Sequence, residues 1–250
     1  MTALLPSDKR DGPGIKRGRS LSDQFRHDRR MIRLASWTVP VAVLAIVASP
    51  LAAPDPRAEK ERLNPRDTAL ARSGLLRPAD LAPGWQRTPS GPDDDEPTRC
   101  PGWSPDFSAF TITGKARADF EHGRAGAAIL STVEVYPSNR QAIGDFRTGA
   151  KPGLTRCLRS LLNEGFRQGG QGVQARVVSA RMLRSPRIGD RSATYRLVAR
   201  VRSAGTSVPA YFDLHVFQRG RSIGGLFFTG TGVRVPDQLA LARTVAGRLR

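Results

Sequence analysis

Leu34 to Pro54 are 21 consecutive positions without a charged side chain, preceded by Arg26, Arg29, Arg30 and Arg33 and followed at once by Asp55. Hydrocarbon about 30 Å thick takes roughly 20 apolar residues of helix, so residues 34–54 are long enough to form a transmembrane or signal-anchor helix. Pro40 and Pro50 interrupt the run, and the strongly apolar stretch Val39–Ala48, with Ala52 and Ala53 behind it, equally suits a cleaved signal peptide. Met31 is an alternative start that gives such a signal an ordinary short leader. Under either reading the basic arm stays inside by the positive-inside rule and the remainder is placed outside the cytoplasm. The expected localisation is therefore the cytoplasmic membrane, single-pass with the C-terminal domain outside, or secretion after cleavage.

The chain carries a formal charge of +18; residues 1–53 hold 9 of the 40 Lys and Arg and 4 of the 22 Asp and Glu, which leaves +13 on the remainder. Such a surface outside a membrane faces lipid headgroups and wall polymers, so anionic lipid or cell-wall polymer is the expected partner class. The arginine excess also matches codon bias in a high-GC genome. Nucleic acid is not expected, because no aromatics interleave with the basic residues and no binding module is recognisable. Cys100 and Cys157 both follow the apolar segment, and an even pair in an oxidising compartment points to one disulfide. Closing that loop is worth about 4 kcal/mol of chain entropy. Two free buried thiols are the alternative, whereas a metal site is not supported without a nearby histidine pair.

Residues 1–33 lack apolar periodicity and read as a disordered basic arm, and residues 55–73 as a polar linker with a short helical stretch. The folded domain is expected over 74–250. Short strands are predicted at Phe107–Thr113 and Arg117–Phe120, and a clear period of two at Ala127–Tyr136 puts Ala127, Ile129, Val133 and Val135 on one face. Ser138 or Asn139 is an N-cap for a helix carrying Ala142, Ile143 and Phe146, and a second helix from Leu154 carries Cys157, Leu158, Leu161 and Leu162. Four strands follow: Val173–Leu183, Ser192–Arg202, Val208–Gln218 and Ser222–Thr229, the last two joined by a tight turn at Arg219-Gly220. A final helix is predicted with Pro236 at its first position, and with Leu239, Ala242, Ala246 and Leu249 on one face. The order gives an α+β domain: helices packed on an antiparallel sheet, preceded by one N-terminal hydrophobic helix.

No catalytic or cofactor site is predicted. Gly220-Arg221-Ser222-Ile223-Gly224 fits G-x-S-x-G, yet Ser222 follows a hairpin turn and leads into a strand, and no histidine comes after His215. A secreted hydrolase using Ser222 is therefore the minor alternative. His215 is read as an outward or rim strand residue, His122 as a turn residue, and Asp93–Glu96 as a solvated acidic loop rather than a calcium site. Trp85, Trp103, Tyr136 and Tyr211 are the candidates for the rim of a ligand groove, with membership of the core as the bland alternative; Trp85 in particular is expected to cap one end of the core.

Leu75-Leu76, Pro78-Ala79-Asp80-Leu81, Pro83-Gly84-Trp85, Cys100, Val135-Tyr136-Pro137-Ser138, Ala142, Phe146 and Cys157 form a pattern that resembles the extracellular sensor domain of PknH-like actinobacterial kinases and related secreted or lipid-anchored proteins. Gly189-Asp190-Arg191, Gly220-Arg221 and Ala242-Arg243-Thr244-Val245-Ala246 continue it over roughly residues 74–250. The resemblance implies a PsbP-like α+β fold and a non-catalytic binding or sensor-like role, and supplies no ligand. The chain departs from those kinases in lacking a kinase domain and in having one cysteine pair where their sensor domain has two disulfides. In intact cells the region after residue 54 should be cut by added protease; full protection of a cytosolic C-terminal region would refute the export reading.

Overall fold

Alternating side chains build a sheet with a buried core on each side. The computed structural model describes residues 55–90, 100, 103–123, 126–168, 173–203, 205–232 and 234–249. The basic arm 1–33, the hydrophobic segment 34–54 and the acidic run Asp93–Glu96 lie outside the described residues. Among the described residues no helix is long and apolar enough to cross a membrane.

The strands are β1 (Lys60–Glu61), β2 (Gln86–Thr88), β3 (Thr111–Ile112), β4 (Gly114–His122), β5 (Ala127–Val135), β6 (Val173–Leu183), β7 (Arg191–Ser203), β8 (Thr206–Arg219) and β9 (Ser222–Thr231). The helices are α1 (Pro65–Gly74), α2 (Asn139–Gly149), α3 (Leu154–Gln168) and α4 (Gln238–Arg248), with a 3₁₀ turn at Pro78–Asp80. Seven strands form one sheet in the order β2-β4-β5-β9-β8-β7-β6, antiparallel throughout, while β1 and β3 form a small parallel pair. The fold is α+β with helices on an antiparallel sheet, as the sequence pattern predicts. The β6–β9 meander returns its last strand to β5, so β9 stitches the two halves of the sheet together.

Odd residues of β5 (Ala127, Ile129, Val133, Val135) and even residues of β9 (Leu226, Phe228) meet Ala71 of α1 and Ala242, Val245 and Ala246 of α4 in one core. The opposite face packs Tyr195, Leu197, Ala199, Ala210 and Phe212 against α2 and α3, with Phe146, Cys157 and Phe166. Cys100 and Cys157 are disulfide-bonded with their Cα atoms 5.0 Å apart, fixing the Cys100–Trp103 bridge against α3. Gly220 turns the β8–β9 hairpin at φ 54°, a conformation in which a Cβ would be strained.

Three local expectations differ from what is observed. The strand expected over Phe107–Thr113 is confined to Thr111–Ile112, because Ser108 and Phe110 are taken up in a local turn closed by Asp106 Oδ1 and the Phe107 carbonyl. The last helix begins at Gln238 rather than Pro236, since Asp237 adopts a left-handed conformation at φ 54° and makes no side-chain cap. Residues 55–73, expected as a linker, carry β1 and most of α1. Asn64 caps that helix by accepting from Asp67 N–H, Pro65 opens it, and Ala71 is fully buried. The short helical stretch expected there is thus present, but its weak apolar stripe gives no sign that it packs on the sheet: what fastens α1 is charge.

The Asp67 carboxylate accepts both arms of the Arg221 guanidinium at 2.6 and 2.9 Å, the Thr113 hydroxyl at 2.6 Å and the Asn64 amide at 3.1 Å. Arg221 also donates to the Tyr136 carbonyl at 3.0 Å. Gly114 lets α1 cross β4 at contact distance, because a Cβ there would stand 2.2 Å from the Asp67 backbone carbon. The guanidinium and its partner hydroxyl hold the Asp67 carboxyl far below the usual carboxylate range, so this stabilisation is present above the unfolded pKa and lost as pH falls well below it. Asp67→Ala strands a partly buried guanidinium and should cost about 3 kcal/mol in urea unfolding. A loss within about 0.5 kcal/mol, the range of an ordinary surface change, would show that this clasp does not fasten α1.

Candidate functional site

The four aromatic candidates do not converge on one groove. Trp85 meets His122 edge-on, with ring centroids 5.5 Å apart, and closes one end of the α1/α4 core. Trp103 belongs to the opposite core, beside the disulfide, where its buried Nε1 has no partner among the described residues and its ring touches the Gly153 position. Tyr136 is fully buried and donates to Glu134 Oε2 at 3.0 Å. Tyr211 is half-buried on β8, opposite Val198 of β7. Sheet parity explains the scatter: Trp85 and Trp103 flank opposite faces, and Tyr136 is drawn inward by its hydroxyl's carboxylate partner.

Ser222 is fully buried at the start of β9, and its Oγ has no hydrogen-bond partner among the described residues. His215 is in register with Leu226, four residues along β9 and so roughly 13 Å from Ser222 at 3.3 Å per residue. His122 pairs at the far end of β4 and β5 from the Val135–Ser222 pair. Ser222 thus lies far along the strands from both His215 and His122 and is closed to solvent, and the G-x-S-x-G match is the strand end whose Arg221 clasps Asp67.

His215 is buried rather than outward, because β8 is a central strand covered on both faces, where alternation separates two cores instead of core from solvent. Gln238 Nε2 donates to Asp213 Oδ2 at 3.0 Å, so Gln238 Oε1 accepts from His215 Nε2 at 3.2 Å and His215 Nδ1 accepts from Thr194 Oγ1 at 3.1 Å. Burial lowers the His215 pKa and keeps the ring neutral. Asp213, completely buried, also binds Arg196 at 2.6 Å and Arg234 at 2.7 Å. This network ties the start of α4 to the sheet.

A second charged cluster joins the N-terminal segment to α2. Glu134 of β5 and Asp145 of α2 face Glu59, with Tyr136, Lys115 of β4 and Glu61 of β1 around them. Desolvation first, then mutual repulsion, raises the Glu134 carboxyl to about 7 and the Asp145 carboxyl to about 8, and burial raises Glu59. Asp145 Oδ2 is buried with no hydrogen-bond partner among the described residues, as suits a carboxyl that burial keeps protonated. Among the described residues no group of His, Cys, Asp and Glu is arranged to hold a metal ion.

Among the described residues no helix covers the β6–β7 part of the α1/α4 side. There β7 presents Arg196, Arg200 and Arg202, and the register puts Arg200 directly beside Arg176 and Arg196 beside Arg181 of β6. Arg176 and Arg181 are an odd number of residues apart; the bulge between Val177 and Ser179 restores parity and brings both to the same face. Arg176, Arg181, Arg200 and Arg202 are exposed. Tyr211 lies opposite Val198, between the Arg196 and Arg200 positions on this face. The sequence showed the β7 arginines by alternation, but not their β6 partners, since a bulge leaves no compositional mark.

The chain is similar to the crystal structure of the extracellular domain of PknH from Mycobacterium tuberculosis, with a TM-score of 0.39 and 8% identity over 73% of this chain and 95% of that one. No protein-family model matches the chain, and no curated protein matches it.

The raised carboxyls give a signed pH dependence. Protons held in the folded state but not in the unfolded one stabilise fully below the unfolded values of 4.5 for Glu134 and 3.8 for Asp145, and that stability is lost as pH rises through about 7 and about 8. Neutral His215 has the opposite slope below 6.5. Tm should therefore fall by roughly 5 °C between about pH 6.5 and about pH 8.5, and Glu134→Gln with Asp145→Asn should flatten that fall. The same fall in the double variant would remove the cluster as its cause.

Proposed function

We propose that the chain is a non-catalytic extracytoplasmic binding domain, tethered to the bacterial envelope through residues 34–54, that meets anionic lipid or wall polymer with its bare arginine face. The observation that carries this reading is the side-by-side placement of Arg176 with Arg200 and of Arg181 with Arg196. Like charges directly opposite each other on neighbouring strands are destabilising, so a fold that retains them gains from an external anion. Asp213 partly compensates Arg196; Arg176, Arg181, Arg200 and Arg202 make no ion pair among the described residues. Tyr211 adds an amphipathic ring between guanidiniums, suited to the boundary of a polar headgroup layer. The sensor-like reading draws on the residue pattern that resembles PknH-like domains.

A fragment of residues 55–250, which holds every described element, should sediment with anionic but not neutral vesicles, and less at high salt as the Debye length shortens to about 8 Å and below. Arg176→Gln, Arg181→Gln and Arg200→Gln together should weaken binding about tenfold or more, each lost cation being worth about 1 kcal/mol. Arg140→Gln, Arg156→Gln and Arg159→Gln, on exposed positions of α2 and α3, should have much less effect. Equal losses from the two triples would replace the docking face with diffuse surface charge, and equal binding to neutral vesicles would end the electrostatic reading.

A further inference from the structure

At the other edge of the sheet the same excess of arginine takes a concave form. β2 pairs with β4 only at Asp119–Glu121, so beyond Thr88 no described strand covers the outer edge of β4 from Gly114 to Ala118. The end of α1 and the turn after it wall this gap, leaving a cleft of about 450 Å³ whose lining includes Arg72, Arg77, Arg87, Lys115, Arg117 and Ser90. Among the described residues no acidic side chain lines it. We infer that this cleft is a binding site for a phosphate-bearing anion.

Two of its five cations are already balanced: Arg117 by Asp119 at 2.9 Å and Lys115 by Glu61 at 3.2 Å. The other three are not. Arg72, Arg77 and Arg87 make no ion pair with a described carboxylate, and Arg77 spends one nitrogen on the Ser73 carbonyl at 3.2 Å. Asp80 lies nearby, yet both its oxygens are held by Arg248, at 2.6 and 2.8 Å, while its Oδ2 also caps the Arg77 backbone at 2.7 Å. Three guanidiniums without an ion-pair partner among the described residues stand around one hollow and repel each other, and that repulsion is relieved by an anion carrying more than one charge. Buried Leu75 and Leu76 form a low-dielectric wall behind them, which strengthens the field in the hollow. Guanidinium forks match the paired oxygens of a phosphate, and the Ser90 hydroxyl supplies a neutral donor beside them. A cleft of this volume takes a phosphate group together with a small organic neighbour.

The cleft beside β4 and the arginine face on β7 and β6 lie four to five strands apart in the sheet, about 19 to 24 Å at 4.8 Å per strand, so the two sites are separable. The test uses the full chain in nanodiscs of neutral lipid, titrated calorimetrically with inorganic pyrophosphate, with monomeric dihexanoyl phosphatidic acid and with acetate. Pyrophosphate should fill one saturable site, acetate should bind far more weakly, and Arg72→Gln, Arg77→Gln and Arg87→Gln together should weaken pyrophosphate about tenfold or more. All three side chains are exposed, so Tm should not change, and Arg176→Gln with Arg200→Gln should leave pyrophosphate binding intact. Tighter binding of the phosphatidic acid assigns the phosphate to a lipid-linked molecule; tighter pyrophosphate assigns it to a soluble one. Absence of a saturable site, indifference to the cleft triple, or an equal loss from the Arg176 and Arg200 variant would each overturn the assignment.

Discussion

One carboxylate, Asp67, sets the relation between the first helix and the sheet. Its two oxygens collect donors from the β8–β9 turn through Arg221, from the strand junction at Thr113 and from the helix's own N-cap, Asn64. Arg221 at the same time holds the Tyr136 carbonyl, where β5 leaves the sheet for α2. The clasp therefore joins segments separated by up to 154 residues at one point. Gly114 is what permits the approach, and a bidentate guanidinium fork gives it direction as well as energy. A second bidentate pair, Asp80 with Arg248, repeats the device at the other end, locking the turn after α1 to the last turn of α4. Both helices on this face are thus fixed by arginine forks over a modest apolar contact.

The sheet is covered unevenly, and that unevenness separates structural from exposed charge. Where helices lie on both faces, polar residues of the central strands are drawn into closed networks, as with Asp213, Gln238, His215 and Thr194. Such groups are costly to bury alone and are retained because each finds a partner. At the two edges the cover ends, and there Arg72, Arg77, Arg87, Arg176, Arg181, Arg200 and Arg202 make no ion pair among the described residues. The same residue type consequently does three jobs: clasping helices, neutralising a buried aspartate, and facing solvent in unpaired sets at β6–β7 and at the β4 edge.

The acidic cluster at Glu59, Glu134 and Asp145 runs against that general excess of positive charge. It sits where the chain enters the domain, on the far side of β5 from the Asp67 clasp. Crowded carboxyls with Tyr136 above them hold protons near neutrality, so the entry segment is attached by a contact whose strength depends on proton supply. Neither Glu134 nor Asp145 advertises this in sequence, since each sits in an ordinary amphipathic pattern and only the packing of α2 on β5 brings them together.

The sequence by itself determined the α+β class, the four-strand meander with its glycine turn, the Ser138 cap and the pairing of Cys100 with Cys157, because alternation, turn chemistry and cysteine count are local signals. It also placed arginines outward on β7. Only the tertiary structure decided which outward positions are open. Alternation says that two sets of side chains face opposite ways, but not whether a helix covers the second set, and so His215, a rim position by alternation, is buried. The role of residues 65–74 was equally invisible, since α1 is held by an ion pair whose partner is 154 residues away. Trp85, Trp103, Tyr136 and Tyr211 look alike in sequence, yet parity and packing send them to four different surroundings. Long-range register, a one-residue bulge and a helix crossing at a glycine carry that information, and none of them is written in any single stretch of the chain.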